Sequence, residues 1–286
     1  IMKKLFLFLL INSYFYLSLS SQEIKLATSE QFKKFLTTNT YVVKTDNPFS
    51  DFNNVLEESM SHVWTLTKYK IISTEEFEKL KTNPENSFIF LSEAAFTLNK
   101  ETISLDILNI TLGTKSGNLN LMPDLGSAPL AYLPVDAVSE EIEKQYLYFI
   151  PGILRFFQYN IKFQATQPQV VDLDKLSNAN KNLLANKTLF ICSDNLAMDV
   201  NSIEKIAKIY SGKVKIASKE EIYKTLLNGE DRVAVAFAIN TNGKIGLNCF
   251  KFIIDANNGA LIYYAIQEVK GKEDDGFTSS DFKKLL

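Results

Sequence analysis

The sequence predicts an α/β (α+β) protein built from two tandem units, each a strand-helix-strand-helix run followed by three antiparallel strands, joined by a kinked helical linker. Three observations predict it. Lys70-Ile-Ile-Ser-Thr-Glu-Glu-Phe-Glu-Lys-Leu80 returns as Lys215-Ile-Ala-Ser-Lys-Glu-Glu-Ile-Tyr-Lys-Thr225, an offset of 145 residues. Upstream, the β-rich run Thr40 to Thr45 closes in Asp46-Asn47, and at an offset of 148 Thr188 to Ser193 closes in Asp194-Asn195. Turn signals near the end of each unit, Gly113 to Gly117 in the first and Asn240 to Gly243 with Asn257-Asn258-Gly259 in the second, divide apolar runs into hairpins.

The first unit spans residues 24–133. Thr28-x-x-Gln31 caps a short helix whose apolar positions are Phe32, Phe35 and Leu36. After the first strand, Phe52, Val55, Leu56 and Val63 mark one face of a helix over roughly residues 50–68. Tyr69 to Ile72 makes the second strand, and Ser73-x-x-Glu76 a capping box for the second helix. Ser87 to Leu91 and Ile103 to Leu112 are the next strands. The last is poorer, trailing through an irregular Met122 to Gly126 into Leu130 to Leu133.

Residues 134–172 form the linker. Pro151-Gly152 interrupts an aromatic-rich segment, and proline is tolerated in a first helical turn but not inside a helix, so two helices meet at a kink. Tyr146, Phe149, Ile150, Leu154 and Phe157 are its candidate interface. They either fuse the two units or form an exposed apolar patch that docks an envelope protein, a second copy of the chain or a lipid surface.

The second unit, residues 173–286, repeats the order. Its first crossover helix, roughly residues 199–210, is shorter by about one turn, which absorbs the change in offset from 148 to 145. Ser218-x-x-Glu221 is its capping box, and Thr278-Ser-Ser-Asp281 opens a closing helix.

A chain of 286 residues with 46% hydrophobic and 22% charged residues is globular in composition. Its formal charge of -2 supplies no overall basic field, so nucleic acid is not an expected partner, although a net charge does not exclude a local basic patch. Lys3-Lys4, the apolar run from Leu5 to Ile11 and the small residues Ser18-Leu-Ser20 read as a secretory leader over residues 1–20. The expectation is a periplasmic or extracellular protein with no transmembrane segment in the mature chain. Cys192 and Cys249 are as consistent with a disulfide as with two buried thiols. Two Cys and one His are too few for a structural zinc site, and no metal or other cofactor is implied.

The candidate ligand-binding residues are Asp46, Asn47, Asp194 and Asn195. They end the first strand of each unit, where open α/β sheets present ligand groups; the same residues also suit turns. Any His-based acid/base scheme must use His62, which has no Ser or Cys nucleophile motif beside it and is expected as a partly buried helix residue. No residue is assigned a catalytic role.

Asp255-Ala-Asn-Asn-Gly-Ala-Leu261, following two strand-helix units, resembles the small α/β domains of bacterial envelope proteins, the TolB N-terminal and CsgG-like periplasmic domains. That resemblance implies an envelope scaffold or adaptor and transfers no catalytic residue. The chain lacks the propeller, the membrane-spanning hairpin and the lipidated Cys of those proteins. The sequence therefore points to an exported, non-catalytic scaffold, adaptor or binding protein; the alternatives are a carboxylate-dependent secreted hydrolase and a small-molecule carrier.

Overall fold

The structure, a computed structural model, describes residues 25–47, 50–133 and 139–285. The leader expected over residues 1–20 lies outside them. Two five-stranded mixed sheets appear. The first comprises β1 (Asn39–Val43), β2 (Tyr69–Ile72), β3 (Asn86–Leu98), β4 (Glu101–Leu112) and β5 (Asp124–Leu133), in spatial order β2-β1-β3-β4-β5. The second, from β6 (Thr188–Ile191), β7 (Lys213–Ile216), β8 (Val233–Ile239), β9 (Asn248–Asp255) and β10 (Leu261–Glu268), has the same order, β7-β6-β8-β9-β10. In both, the first strand pairs in parallel with the second and third, and the last three are antiparallel.

The helices follow the expected order: α1 (Ser29–Phe35), α2 (Phe52–Val63), α3 (Thr74–Leu80), α4 (Ser139–Tyr146), α5 (Ile150–Thr166), α6 (Leu173–Asn180), α7 (Ile203–Ala207), α8 (Lys219–Asn228) and α9 (Ser279–Lys284). Both bonds of the Thr28 and Ser73 capping boxes form. At Ser218 only the Ser half forms, and the Glu221 carboxylate instead takes the Lys215 ammonium at 2.5 Å. Residues 124–126, expected as loop, belong to β5. Their backbone is recruited by pairing with β4 and with the extended residues 25–27, a tertiary gain that local propensity does not report.

One strand match is shifted by a residue. The 148 offset equates Val43 with Ile191, which places them on the same face of their sheets. In the structure the face of the first sheet that carries α2 is formed by Val42 and Ile89, packed with Phe52 and Leu56. The corresponding face of the second sheet, carrying α7, is formed by Ile191 and Ala236, packed with Ile206. Val42 is thus the positional partner of Ile191. The ladder agrees, since Val42 pairs with Ile71 and Ile191 with Ile216, the residues matched at 145. A one-residue slip exchanges every side chain between faces, so the sequence match alone misassigns them.

The two sheets do not meet by equivalent faces. The shared core joins the α2 face of the first sheet to the α8 face of the second, where Val235, Phe237, Ile222 and Leu226 lie. The other face of the first sheet keeps a small cluster of Val43, Ile72, Phe77, Phe88 and Met122 under α3. The other face of the second is closed by α7 and α9, through Phe277 and Phe282.

Helix α5 holds the halves together. A single 3-10 turn, Leu147–Phe149, separates it from α4, and Pro151 sits in its first turn as proline requires. Tyr146, Phe149, Ile150, Leu154 and Phe157 are each 3% exposed or less. They fuse the two units, which corrects the alternative that these five residues form an exposed docking patch for a partner or a second copy. Phe149 stacks on Phe237 of β8 at 4.4 Å between ring centroids, while the Phe157 ring closes on Gly126 of β5. Burial of several large apolar side chains, each contributing roughly 1.5–3 kcal/mol, favours this enclosed position. Polar side chains of α5 add direction. Gln158 accepts the Thr65 N–H at 2.8 Å and donates to the Val63 carbonyl at 2.9 Å, ending α2, while Arg155 donates to the Leu226 and Leu227 carbonyls, ending α8.

Among the described residues no helix is long and apolar enough to cross a membrane. Cys192 and Cys249 are both buried free thiols; burial raises both, Cys249 to about 12.

Asp124 is a strained position electrostatically. Its Oδ1 accepts the Gly126 N–H and the Ser127 hydroxyl, but Oδ2 is buried without a hydrogen bond, as is the hydroxyl of Thr111, its ladder partner. Burial pushes its carboxyl up to about 7. The folded chain therefore holds a proton that the unfolded chain releases near pH 4, and stability falls as pH rises from about 4 through 7. Asp124→Asn keeps the acceptor and removes the charge, and we expect it to stabilise the fold by about 2–4 kcal/mol at pH 8, with the gain vanishing below pH 4. Denaturant unfolding at the two pH values measures it; equal effects at both would contradict the assignment.

Candidate functional site

Where the edge of the first sheet approaches the carboxyl ends of β6 and β8, a cleft of about 240 Å³ opens. One wall comes from the first unit and the linker: Leu130 and Ala131 of β5, Gln145 of α4, and Tyr148. The other comes from the second unit: Asp194, Asn195, Lys219, Ala238, Ile239, Asn240 and Asn242. Ligand sites of open α/β sheets lie outside the carboxyl ends of strands, and here both β6 and β8 end at the cleft.

Each polar group is positioned by its neighbours. Chain emerging from β6 makes the single 3-10 turn Ser193–Asn195, which buries Asn195 and leaves Asp194 exposed. Asn195 Oδ1 accepts the Tyr148 hydroxyl at 2.9 Å, and its Nδ2 donates to the Ala238 carbonyl at 3.2 Å. Burial drives the Tyr148 hydroxyl well above its ordinary range, so it remains a donor. Lys219, the first residue of α8, pairs with Asp194 at 2.8 Å, and its ammonium lies 5.7 Å from the centre of the Tyr148 ring. Asn240 Nδ2 donates to the Asp194 carbonyl at 2.5 Å.

The C-terminal segment braces the cleft from behind. Phe277 exchanges backbone hydrogen bonds with Asn195 and Ala197, at 2.8 and 2.9 Å. Asp275 accepts the N–H groups of Thr241 and Gly243, each at 2.8 Å, ordering the turn that carries Asn240 and Asn242. Further on, Asp281 accepts the Lys251 ammonium at 2.5 Å, the Tyr263 hydroxyl and the Thr278 N–H, locking α9 onto the sheet.

The structure thus brings Asp194 and Asn195 into a cleft and leaves Asp46 and Asn47 outside it. Asp46 instead accepts the Thr74 hydroxyl through both carboxylate oxygens at 2.9 Å. Thr74 and Lys219 are the matched first residues of α3 and α8, so in each unit the Asp after the first strand is tied to the start of the second helix. In the first unit this is turn chemistry. In the second, an ammonium replaces the hydroxyl and the tie becomes a charge pair at a cleft. Nearby, Glu143 of α4 accepts the Ser50 hydroxyl at 2.6 Å and the Asp51 N–H at 3.0 Å beside the start of α2.

His62 is exposed on α2, its Nδ1 against the Glu58 carbonyl at 2.9 Å, and takes no part in the cleft; the partly buried position expected for it is corrected. Its neighbour Trp64 is buried, edge-on to Phe35. The motif around Asp255 is structural here. Asp255 pairs with Lys187 at 2.8 Å and accepts the Asn257 N–H of its own turn, while Arg155 donates to the Asn257 carbonyl at 2.7 Å. Among the described residues no group of three or more His, Cys, Asp or Glu side chains is arranged to hold a metal ion.

No protein-family model, curated protein or solved structure matches the chain.

Proposed function

We propose that the chain is an exported, non-catalytic binding protein of the cell envelope or its exterior, and that the cleft between its two units is the recognition site. Export is supported by the leader pattern of residues 1–20, and an envelope setting by the resemblance of the Asp255 turn and its two strand-helix units. One observation carries the binding reading: the cleft takes walls from both units and from α4, and its polar lining is an ion pair beside two amides, Asn195 and Asn240, whose bonds fix their orientation. Preformed concave sites with a few fixed polar groups recognise small ligands. The role is closest to that of a small-molecule carrier.

A thermal-shift screen of small polar solutes tests it. Ligands bound in the cleft raise the melting temperature in proportion to the logarithm of their concentration. Gln145→Trp, which places a large ring at a half-buried wall position, abolishes the shift. Undiminished shifts in that variant would place binding elsewhere and overturn the proposal.

A second reading, carboxylate-dependent hydrolysis, has one observation in its favour. Burial, with Glu93 and Glu143 nearby, pushes the Asp106 carboxyl up to about 7, and Glu93 is its direct cross-strand neighbour. A carboxyl group that titrates near neutral pH beside a second acid suits acid/base work. Neither lines the cleft. Turnover of a glycoside panel that is lost in Asp106→Asn, with cleft binding intact, would favour this reading over the first.

A further inference from the structure

The cleft wall contains one acid and one base, Asp194 and Lys219, 2.8 Å apart. Their side chains are 61% and 34% exposed. Ion pairs in that setting contribute little to stability, so the contact is easily exchanged for others. The framework behind it is fixed by hydrogen bonds. Tyr148 lies beneath the ammonium and is anchored by Asn195, which is anchored by the Ala238 carbonyl, while Asn240 holds the Asp194 backbone. The Asp194 backbone and the ring beneath Lys219 are therefore held at the rim of a small cavity.

We propose that this cleft takes a small zwitterion of the α-amino acid type, its carboxylate on Lys219 and its ammonium on Asp194; this rests on the cleft being the recognition site. The argument is one of charge replacement. A simple anion takes Lys219 and leaves the Asp194 carboxylate facing like charge, and a simple cation leaves Lys219 in the same position. A neutral polyol separates the pair and replaces neither charge. A zwitterion gives each side chain an opposite charge in place of the one it loses, and both new contacts are charge-assisted hydrogen bonds. The remaining wall is suited to the rest of such a molecule. Ala131 and Ala238 leave room for a short side chain, and Gln145 and Asn242 present neutral donors and acceptors. A volume of about 240 Å³ is below the roughly 300–1,000 Å³ of drug-sized pockets, which confines the ligand to small members of the class.

Calorimetric titration of the full chain with the standard amino acids, and with the carboxamide and the des-amino acid of the tightest binder, tests the assignment. We expect at least one amino acid to bind, and each truncated analogue to bind at least about 10-fold more weakly, the loss of one charge-assisted contact. Asp194→Asn and Lys219→Gln are both expected to weaken the amino acid about 10-fold or more, with unchanged circular dichroism and little change in melting temperature, because Asp194 is exposed, Lys219 is half-exposed and a pair so placed contributes little to stability. Binding of anions that depends on Lys219 alone, or of polyols indifferent to both substitutions, would overturn the zwitterion and leave the cleft standing. So would a panel in which no amino acid titrates while Gln145→Trp still abolishes thermal shifts by other solutes. Solute binding untouched by Gln145→Trp would overturn the cleft itself.

Discussion

Lys251→Ala is expected to destabilise the fold by about 3–5 kcal/mol, the cost of leaving one member of a buried ion pair without its partner. Lys251 is fully buried on β9 and gives its ammonium to Asp281 and to Gln267 Oε1, at 2.5 and 2.7 Å. Burial alone would raise the Asp281 carboxyl, but Lys251, Tyr263 and the Thr278 N–H outweigh it and hold it below its usual range. The pH dependence follows from that sign. With its folded value depressed, Asp281 contributes stability that is present above the unfolded carboxylate range and is lost as pH falls through the folded value. Without Lys251, only the Tyr263 hydroxyl and the Thr278 N–H oppose burial, so the folded value rises and the charged carboxylate becomes a cost at neutral pH. Denaturant unfolding should therefore show a difference between variant and wild type that is larger at pH 7 than at pH 4. A difference below about 1 kcal/mol at pH 7 would mean that the pair is solvated. Because α9 holds the strap that pairs with Asn195, the same substitution should also weaken ligand binding in the cleft.

Gly259→Ala is expected to cost about 3 kcal/mol or more, from two sources that can be separated. Gly259 has a φ of +77°, which strains any residue with a Cβ by about 1–2 kcal/mol. An added Cβ would also lie 2.2 Å from the carbonyl carbon and 2.3 Å from the carbonyl oxygen of Arg155, so the α5 backbone and the β9–β10 turn must move apart. Overpacking of that kind adds about 1–3 kcal/mol. Gly246 supplies the control. Its φ is +88°, but the nearest atoms to its built Cβ belong to the Leu98 side chain at 3.6 Å and beyond. Gly246→Ala should show the strain alone, about 1–2 kcal/mol. Equal losses at the two positions would remove the close approach of α5 to the turn as a determinant of the fold.

Much of the architecture is legible in the sequence because local rules and tertiary structure agree there. Thr28, Ser73 and Ser218 start helices where their side chains accept an amide of the first turn, and Pro151 falls in a first turn. That the two sheets share one strand order was implied by the repeat, and they do. Register was not, because residues of similar character on neighbouring positions, such as Val42 and Val43, make a match one residue off look as good as the true one. The strand over residues 124–126 was hidden because its pairing partners are distant. Of the site, Asp194 and Asn195 were legible from strand-end position and residue type. Lys219 was not, since it looked like one more charged residue in a first helical turn; its match to Thr74, with a hydroxyl exchanged for an ammonium, was the available signal. Tyr148 was read only as part of an aromatic segment, and Asn240 and Asn242 only as turn residues. Their convergence depends on how α5 sets one unit against the other, which no local pattern encodes.

Helix α5 and the shared core make the two sheets one body, so that the cleft between them is held in one shape. Amide hydrogen exchange across a denaturant series tests this most directly, read at the central strands β3 and β8 and along α5. All three are expected to lose protection together, with one opening free energy. Protection that persists in the second sheet after β3 and α5 have exchanged would contradict it, because two independently opening halves cannot hold a common cleft.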